Sequence, residues 1–235
     1  MTNQEILSQL IFERDAVFRH LSSAPLSSFF DREYESILSG ETFIMSDDRD
    51  DMLNNLQELR NNKTYNAAFA DKVNSINSID EQQIIKKFTQ DWKMAFERVS
   101  LKALNTEIHA ALVMYDAYDL PAQNSLGLYG LNEYPALPVP QYLPSTFYEK
   151  GINDLQDVLD FTQAWPDCEE FDWTTEHIDV YFELQKLFKL NSRILLHKAI
   201  AVMYQNGNLV MLKKRPFYFY IAEHDMEASM LYKVS

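Results

Sequence analysis

Prolines limit where this chain can form long helices. Five of its eight prolines fall within residues 119–150. Because proline lacks a backbone N–H and its ring clashes with the preceding helical turn, no long helix can run through this stretch. Tyr129, Tyr134 and Tyr142 are interleaved with these prolines, which is too aromatic for a flexible linker. The pattern predicts an ordered loop packed on the body of the protein, and long ordered loops are often functional.

Helix signals dominate the first hundred residues. Two segments, Thr2-Asn3-Gln4-Glu5 and Ser78-Ile79-Asp80-Glu81, have the spacing of capping boxes, which satisfy the free N–H groups at a helix start. Gly40 stands where a helix would end in a left-handed residue. The chain has only five glycines, fewer than all-β sandwiches or phosphate-binding folds usually need. The first half of the chain is therefore predicted to be mainly helical.

Four apolar segments are candidates for strands: 108–118, 126–131, 209–213 and 217–222. Periodicity over 108–118 is compatible with a helix buried all round and with a buried strand. The apolar run at 126–131 favours the strand, because it offers a pairing partner. Asn206-Gly207 is compatible with a helix C-cap and with a hairpin turn, and the alanine-rich segment before it favours the cap.

These segments predict an α+β fold: a predominantly helical single domain, residues 1–235, with a small antiparallel or mixed sheet. The 46% hydrophobic content is enough to bury one sizeable core or two small ones. The alternative organisation is a helical N-terminal lobe, residues 1–77, and a core lobe, residues 78–235.

Negative charge is concentrated in one part of the chain. The net charge is -14, and residues 105–185 hold 15 acidic side chains but a single basic one, Lys150. Such a stretch repels nucleic acid and anionic membranes and attracts basic partners. A surface that only keeps the protein soluble is the competing interpretation. The basic group Lys213-Lys214-Arg215 is a weak footprint for nucleic acid in so acidic a chain, so no nucleic-acid partner is expected.

Other features indicate the compartment. Cys168 is the only cysteine, so no disulfide can form within the chain and a cysteine zinc site is excluded. The segment Met1–Glu5 lacks the basic and apolar parts of a signal peptide, and no apolar run approaches the roughly 20 residues of a membrane span. A cytoplasmic protein without a membrane partner is expected.

Catalytic motifs are missing. Phosphate-binding glycine loops, the G-x-S-x-G elbow and H-E-x-x-H do not occur, which argues against common nucleotide enzymes, serine hydrolases and zincins. The acidic clusters 47–51 and 167–172 lack the glycine and glutamate of an EF-hand. In Glu223-His224-Asp225, neighbouring residues of a strand point to opposite faces and cannot converge. No catalytic residue, metal or cofactor is therefore assigned.

The leading hypothesis is an interaction protein that neutralises a basic toxin or effector, such as a bacterial immunity protein or antitoxin. Charge accelerates such encounters and buried aromatic rings hold the complex. The residues expected to attract the partner are Asp116, Asp119, Glu133, Asp167, Glu169, Glu170 and Asp172. Those expected to anchor it are Tyr129, Tyr134 and Tyr142. Two alternatives stay open: a metal-dependent hydrolase using Asp116, Asp119 or the 223–225 group with a histidine, and a DNA mimic.

Overall fold

The computed structural model describes residues 1–42, 44, 46–90, 93, 110–115, 125–131, 142–143, 157–160, 179–209, 216–223 and 227–235. The helices are α1 (Asn3–Ser22), α2 (Leu26–Ser39), α3 (Ser46–Asn61), α4 (Lys63–Ser75), α5 (residues 81–90) and α6 (Asp179–Gln205), with a 3-10 turn at Ile76–Ser78. The strands are β1 (Ala110–Tyr115), β2 (Ser125–Leu131), β3 (Tyr142–Leu143), β4 (Asp157–Asp160), β5 (Phe217–Glu223) and β6 (Ala228–Val234). This mixture confirms the α+β prediction.

The first helix begins at the predicted capping box. The backbone N–H of Glu5 donates to Oγ1 of Thr2 at 3.2 Å, and the backbone N–H of Thr2 donates to Oε2 of Glu5 at 2.6 Å. Hydrogen bonds from the backbone N–H of Thr2 and from its side chain hold the pKa of Glu5 below its usual range, because they favour the carboxylate. Two otherwise unsatisfied donors are paired reciprocally, which stabilises this helix start.

The second helix ends at the predicted glycine. Gly40 adopts a left-handed conformation, with φ of 79°. Its N–H donates to the carbonyl of Ile37, and the N–H of Glu41 donates to the carbonyl of Ser36. This pair of bonds is a Schellman cap, which satisfies the last carbonyls and reverses the chain. The reversal brings Glu41 back beside the last turn of α2.

The second predicted capping box is wrong in its position. Ser78 belongs to the 3-10 turn, and its hydroxyl donates to the carbonyl of Ser75 at 2.7 Å. The helix α5 is capped instead by Asp80, whose carboxylate accepts the N–H of Gln83 at 3.0 Å. Aspartate and serine are similarly favourable N-cap residues. Because the Ser78 hydroxyl is engaged within the 3-10 turn, Asp80 caps the helix.

In the part of the chain that the structure describes, the strands form one six-stranded mixed sheet in the order β3-β6-β5-β1-β2-β4. Its central pair, β1 and β5, is parallel, and every other pair is antiparallel. From Phe217 to Ala222, β5 is buried on both faces, as are the first four residues of β1. Central parallel strands are typically covered on both sides, so apolar residues follow one another without alternation.

Three of the four predicted strands are confirmed where the structure describes them. The segment 108–118 contains β1, 126–131 corresponds to β2, and 217–222 to β5. In the fourth predicted strand, 209–213, only Leu209 is described, and it is a buried turn residue. Asn206-Gly207 is a helix cap: Gly207 has φ of 73° and its N–H donates to the carbonyl of Tyr204.

Three strands, β3, β4 and β6, are not predicted by the sequence pattern, and β6 contains a bulge. Phe219 pairs with Tyr232 and the next residue of β5, Tyr220, pairs with Met230, so Leu231 is the extra residue. Leu231 and Tyr232 are both buried although they are neighbours in the chain. A bulge places two consecutive side chains against one partner residue, and this removes the alternation by which a strand is recognised.

The side chain of Asn3 takes the place of a strand partner beside β6. Its Nδ2 donates to the carbonyl of Lys233 at 2.8 Å, and its Oδ1 accepts the N–H of the same residue at 2.8 Å. The two groups of Lys233 are thereby satisfied as they would be in a sheet ladder. The carbonyl of Asn3 also accepts a hydrogen bond from Nε2 of His197 at 3.1 Å, which ties the start of α1 to α6 as well.

Replacing Asn3 by alanine removes both hydrogen bonds to Lys233. We expect the free energy of unfolding to fall by about 1–3 kcal/mol, because two part-buried backbone groups lose their partners. Urea denaturation measures this change. The exposed neighbour Gln4, whose amide donates to the Ser8 hydroxyl at 3.4 Å, is the control, and Gln4→Ala is expected to cost under about 0.5 kcal/mol. Equal losses for the two variants would contradict the pairing role.

The chain forms two compact units. The first comprises Met1–Ile11, Asp80–Trp165 and Asn191–Ser235, and the second Phe12–Ile79 and Pro166–Leu190. The first contains the sheet and the buried part of α6 from Asn191 to Met203. The second contains helices only, among the residues described, with a core that includes Phe30, Ile37 and Leu56. The organisation as a single domain, with or without lobes 1–77 and 78–235, stays a prediction.

Candidate functional site

A cavity of about 750 Å³ lies in the helical unit. Its lining residues are His20, Phe29, Asp31, Arg32, Glu33, Glu35, Ser36, Ser39, Glu41, Val180 and Glu183, and we call this cavity the α2 groove. Its volume is in the range of ligand-binding sites, roughly 300–1,000 Å³.

Helix α2 supplies most of the α2 groove. Phe29, the pair 32–33, Ser36 and Ser39 recur every three to four residues and therefore lie along one side of the helix. From Phe29 to Ser39 this side is about 15 Å long at 1.5 Å per residue. The lining of the cavity therefore extends about 15 Å along α2, a length over which an extended segment of chain could lie.

The charges lining the α2 groove are mostly negative. Five carboxylates face one guanidinium, that of Arg32, and the carboxylates belong to Asp31, Glu33, Glu35, Glu41 and Glu183. Asp31 pairs with Arg60 at 2.8 Å, and Glu183 lies 3.5 Å from Lys186. A concave surface with an excess of one sign of charge concentrates counter-ions of the other sign. The α2 groove is therefore suited to a cationic ligand.

A cation of the protein itself already lies against the aromatic ring in the α2 groove. The guanidinium carbon of Arg32 is 4.6 Å from the centre of the Phe29 ring, which is within the range of a cation–π interaction. The imidazole of His20 meets the same ring edge-on at 5.3 Å between centroids. Phe29 is only 6% exposed, so its ring lies beneath the charged side chains that line the α2 groove.

The carboxylates of the α2 groove are spread out. Over the described ranges, no three histidine, cysteine, aspartate or glutamate residues lie close enough together to hold one metal ion. Metal sites need several ligand atoms within about 2–2.6 Å of one point. The arrangement therefore fits cationic groups carried on a chain better than a metal ion.

Of the two histidines that the structure describes, the one with a shifted pKa lies elsewhere, in the unit that contains the sheet. His197 of α6 is 4% exposed and its ring packs on Tyr232 at 4.9 Å. The pKa of His197 is lowered to about 4, chiefly by burial and also by the charge of Lys198, while the hydrogen bond with the Asn3 carbonyl acts in the opposite direction. Because His197 of α6 contacts Asn3 of α1 and Tyr232 of β6, its neutral imidazole has a structural role.

Most of the sequence-predicted partner residues lie outside the described residues. These are Asp116, Asp119, Glu133, Tyr134, Asp167, Glu169, Glu170 and Asp172. Tyr129 is in β2 and Tyr142 is in β3, and three other strands separate these two. At about 4.8 Å per strand their backbones are roughly 19 Å apart. One small ligand would not contact both, and their role as partner anchors stays a prediction.

Of the residues proposed for a hydrolase, only Glu223 is described. It ends β5, with its backbone opposite Tyr115 of β1, while Asp116, Asp119, His224 and Asp225 lie outside the described residues. None of the α2 groove residues was selected from the sequence. The signal that could have found them is the spacing of Asp31 and Glu35, which places two carboxylates on one side of a helix.

No described helix is both long and apolar enough to cross a membrane. Comparisons of the chain with protein-family models, with curated proteins and with solved structures found no match.

Proposed function

We propose that this chain is an acidic protein–protein interaction module that binds and neutralises a basic partner, in the manner of an immunity protein or antitoxin. The observation that carries the proposal is the α2 groove, in which five carboxylates face one guanidinium. The surplus of 15 acidic over one basic residue in 105–185 adds a second source of negative potential. The proposal places the chain in the cytoplasm, where its single cysteine stays reduced.

Tight binding of a basic partner requires fast association and slow dissociation. Negative potential raises the association rate with a basic protein, and salt screens this effect over about 8–10 Å at ordinary ionic strengths. Aromatic and arginine side chains at the centre of an interface then slow dissociation. The acidic residues would raise the association rate. The predicted anchors Tyr129, Tyr134 and Tyr142 would slow dissociation.

The test starts by capturing a partner on the immobilised full chain from an extract of the source cells and purifying it. Association kinetics are then measured at low and high salt. We expect a partner with a pI above about 9, an association rate that falls at least tenfold with salt, and loss of the partner's activity at saturation. A partner of neutral or acidic pI, or a rate that salt leaves unchanged, would overturn the proposal.

Matched variants locate the attraction. One variant converts the predicted steering residues Asp167, Glu169, Glu170 and Asp172 to their amides. The control converts the exposed residues Asp48, Asp50, Glu58 and Asp71 and changes the net charge equally. We expect the first variant to slow association severalfold more than the control, because steering depends on the position of charges and not only on their number. Equal slowing would contradict a role for the 167–172 cluster.

A further inference from the structure

We infer that the α2 groove binds an arginine-bearing segment of the partner protein, and that Arg32 occupies part of this site in the free chain. The inference rests on the proposed function, because it assumes a basic protein partner. It adds three details: the α2 groove as the binding surface, arginine as the recognised side chain, and Arg32 as a competitor within the chain.

The length of the α2 groove lining matches a short peptide segment. The lining side of α2 is about 15 Å long, and an extended chain advances about 3.3 Å per residue, so four to five residues fit along it. Exposed apolar side chains adjoin the lining residues in sequence: Leu38 is 47% exposed beside Ser39, and Phe182 is 54% exposed beside Glu183. These apolar side chains would add contact area that binding removes from water.

The charge of the α2 groove selects the side chain. Carboxylates and a planar guanidinium form paired hydrogen bonds that an ammonium cannot reproduce. Because no three of the acidic or histidine groups converge on one point in the described part of the chain, the negative charge matches groups distributed along a segment. A segment that carries two arginines therefore matches this distributed negative charge better than a single inorganic cation.

Arg32 shows that the site accepts a guanidinium. Its side chain lies over Phe29 at 4.6 Å, within a cavity whose other charged walls are carboxylates. An arginine of the partner would meet the same carboxylates and would be repelled by the resident charge. Arg32 is thus expected to weaken binding in the free protein, and its removal is expected to strengthen it.

The experiment uses the full chain and a synthetic peptide of about eight residues with two arginines, compared with the same peptide carrying citrulline, the neutral isostere of arginine. Isothermal titration at about 0.1 M salt gives the Kd values. We expect Arg32→Gln to tighten binding of the arginine peptide about fivefold, because one repelling charge near the site is removed. Lys63→Gln, an exposed lysine outside the α2 groove, changes the net charge equally and is expected to alter Kd less than about twofold.

A second pair of variants tests the location. The triple amide variant Glu33→Gln, Glu35→Gln and Glu41→Gln is expected to weaken binding at least about tenfold. The control variant Asp48→Asn, Glu58→Gln and Asp71→Asn loses the same charge outside the α2 groove and is expected to weaken it less than about threefold. Thermal unfolding confirms that each variant is folded.

The outcomes separate the two proposals. Equal effects of Arg32→Gln and Lys63→Gln would overturn the competitor role of Arg32. Equal effects of the two triple variants would overturn the α2 groove as the binding surface, as would equal binding of the arginine and citrulline peptides. Each of these results leaves a basic partner standing if the captured protein still associates in a salt-dependent way, whereas loss of that association removes the proposed function itself.

Discussion

Replacing Phe219 by alanine is expected to lower the free energy of unfolding by about 3–5 kcal/mol. Phe219 is 0% exposed in β5, a central strand of the sheet, and its ring contacts that of Phe217 at 5.3 Å. The substitution removes most of a buried side chain and leaves a cavity between packed neighbours, so lost burial and lost contacts add together. Urea denaturation followed by circular dichroism measures the change.

The control for this prediction is Phe12→Ala. Phe12 is 64% exposed, so removing its ring is expected to cost under about 0.5 kcal/mol. If Phe219→Ala leaves too little folded protein to measure, Phe219→Leu keeps most of the volume and is expected to cost about 1 kcal/mol. A loss for Phe219→Ala no larger than that for Phe12→Ala would contradict the position of β5 in the core.

Acid is expected to destabilise the protein through His197 by about 3 kcal/mol between pH 6.5 and pH 4. In the folded chain the pKa of His197 is about 4, chiefly because burial disfavours the imidazolium, whereas the ordinary value is 6.5. Nε2 donates to the Asn3 carbonyl, and Nδ1 has no hydrogen-bond partner among the described residues. Protonation of Nδ1 would therefore create a buried imidazolium whose new N–H has no acceptor among the described residues.

The direction follows from proton binding. Between pH 6.5 and 4 the unfolded chain takes up a proton on this histidine and the folded chain does not, so falling pH favours the unfolded state. The contribution of His197 is fully present above about pH 6.5 and is lost once the pH has fallen through the folded pKa near 4.

The variant His197→Gln isolates this contribution, because glutamine retains an N–H donor for the Asn3 carbonyl and does not titrate. Measured by urea denaturation at several pH values, the difference in stability between wild type and variant is expected to shrink by about 3 kcal/mol from pH 7 to pH 4. His20→Gln, at an exposed position, serves as the comparison. A difference for His197→Gln that stays constant with pH would contradict the assignment.

Local signals in the sequence predicted the helix ends well. The capping box at Thr2 and Glu5, the left-handed Gly40 and the cap at Gly207 are each formed by residues within one turn of each other. Their conformation depends on short-range hydrogen bonds, so sequence is sufficient to identify them. At Ser78 the prediction failed because a 3-10 turn uses the serine and Asp80 caps the helix.

Strands were predicted where burial made them apolar throughout, as in β1 and β5. The strand β6 was not predicted because the bulge at Leu231 interrupts its alternation of buried and exposed residues. A bulge depends on the neighbouring strand as much as on its own residues. The hydrogen bonds of the Asn3 amide with Lys233 likewise join residues 230 positions apart. No local sequence pattern predicts such a contact.

The acidity of the chain, its single cysteine, its helix caps and its α+β class were determined by the sequence, because they depend on composition and on neighbours in the chain. Only the tertiary structure decided the order of the strands and the α2 groove. That groove combines residues of α2 with Val180 and Glu183 from the far end of the chain, and their proximity results from packing over long sequence separations. The charge was readable from the sequence; the concave surface that concentrates part of it was not.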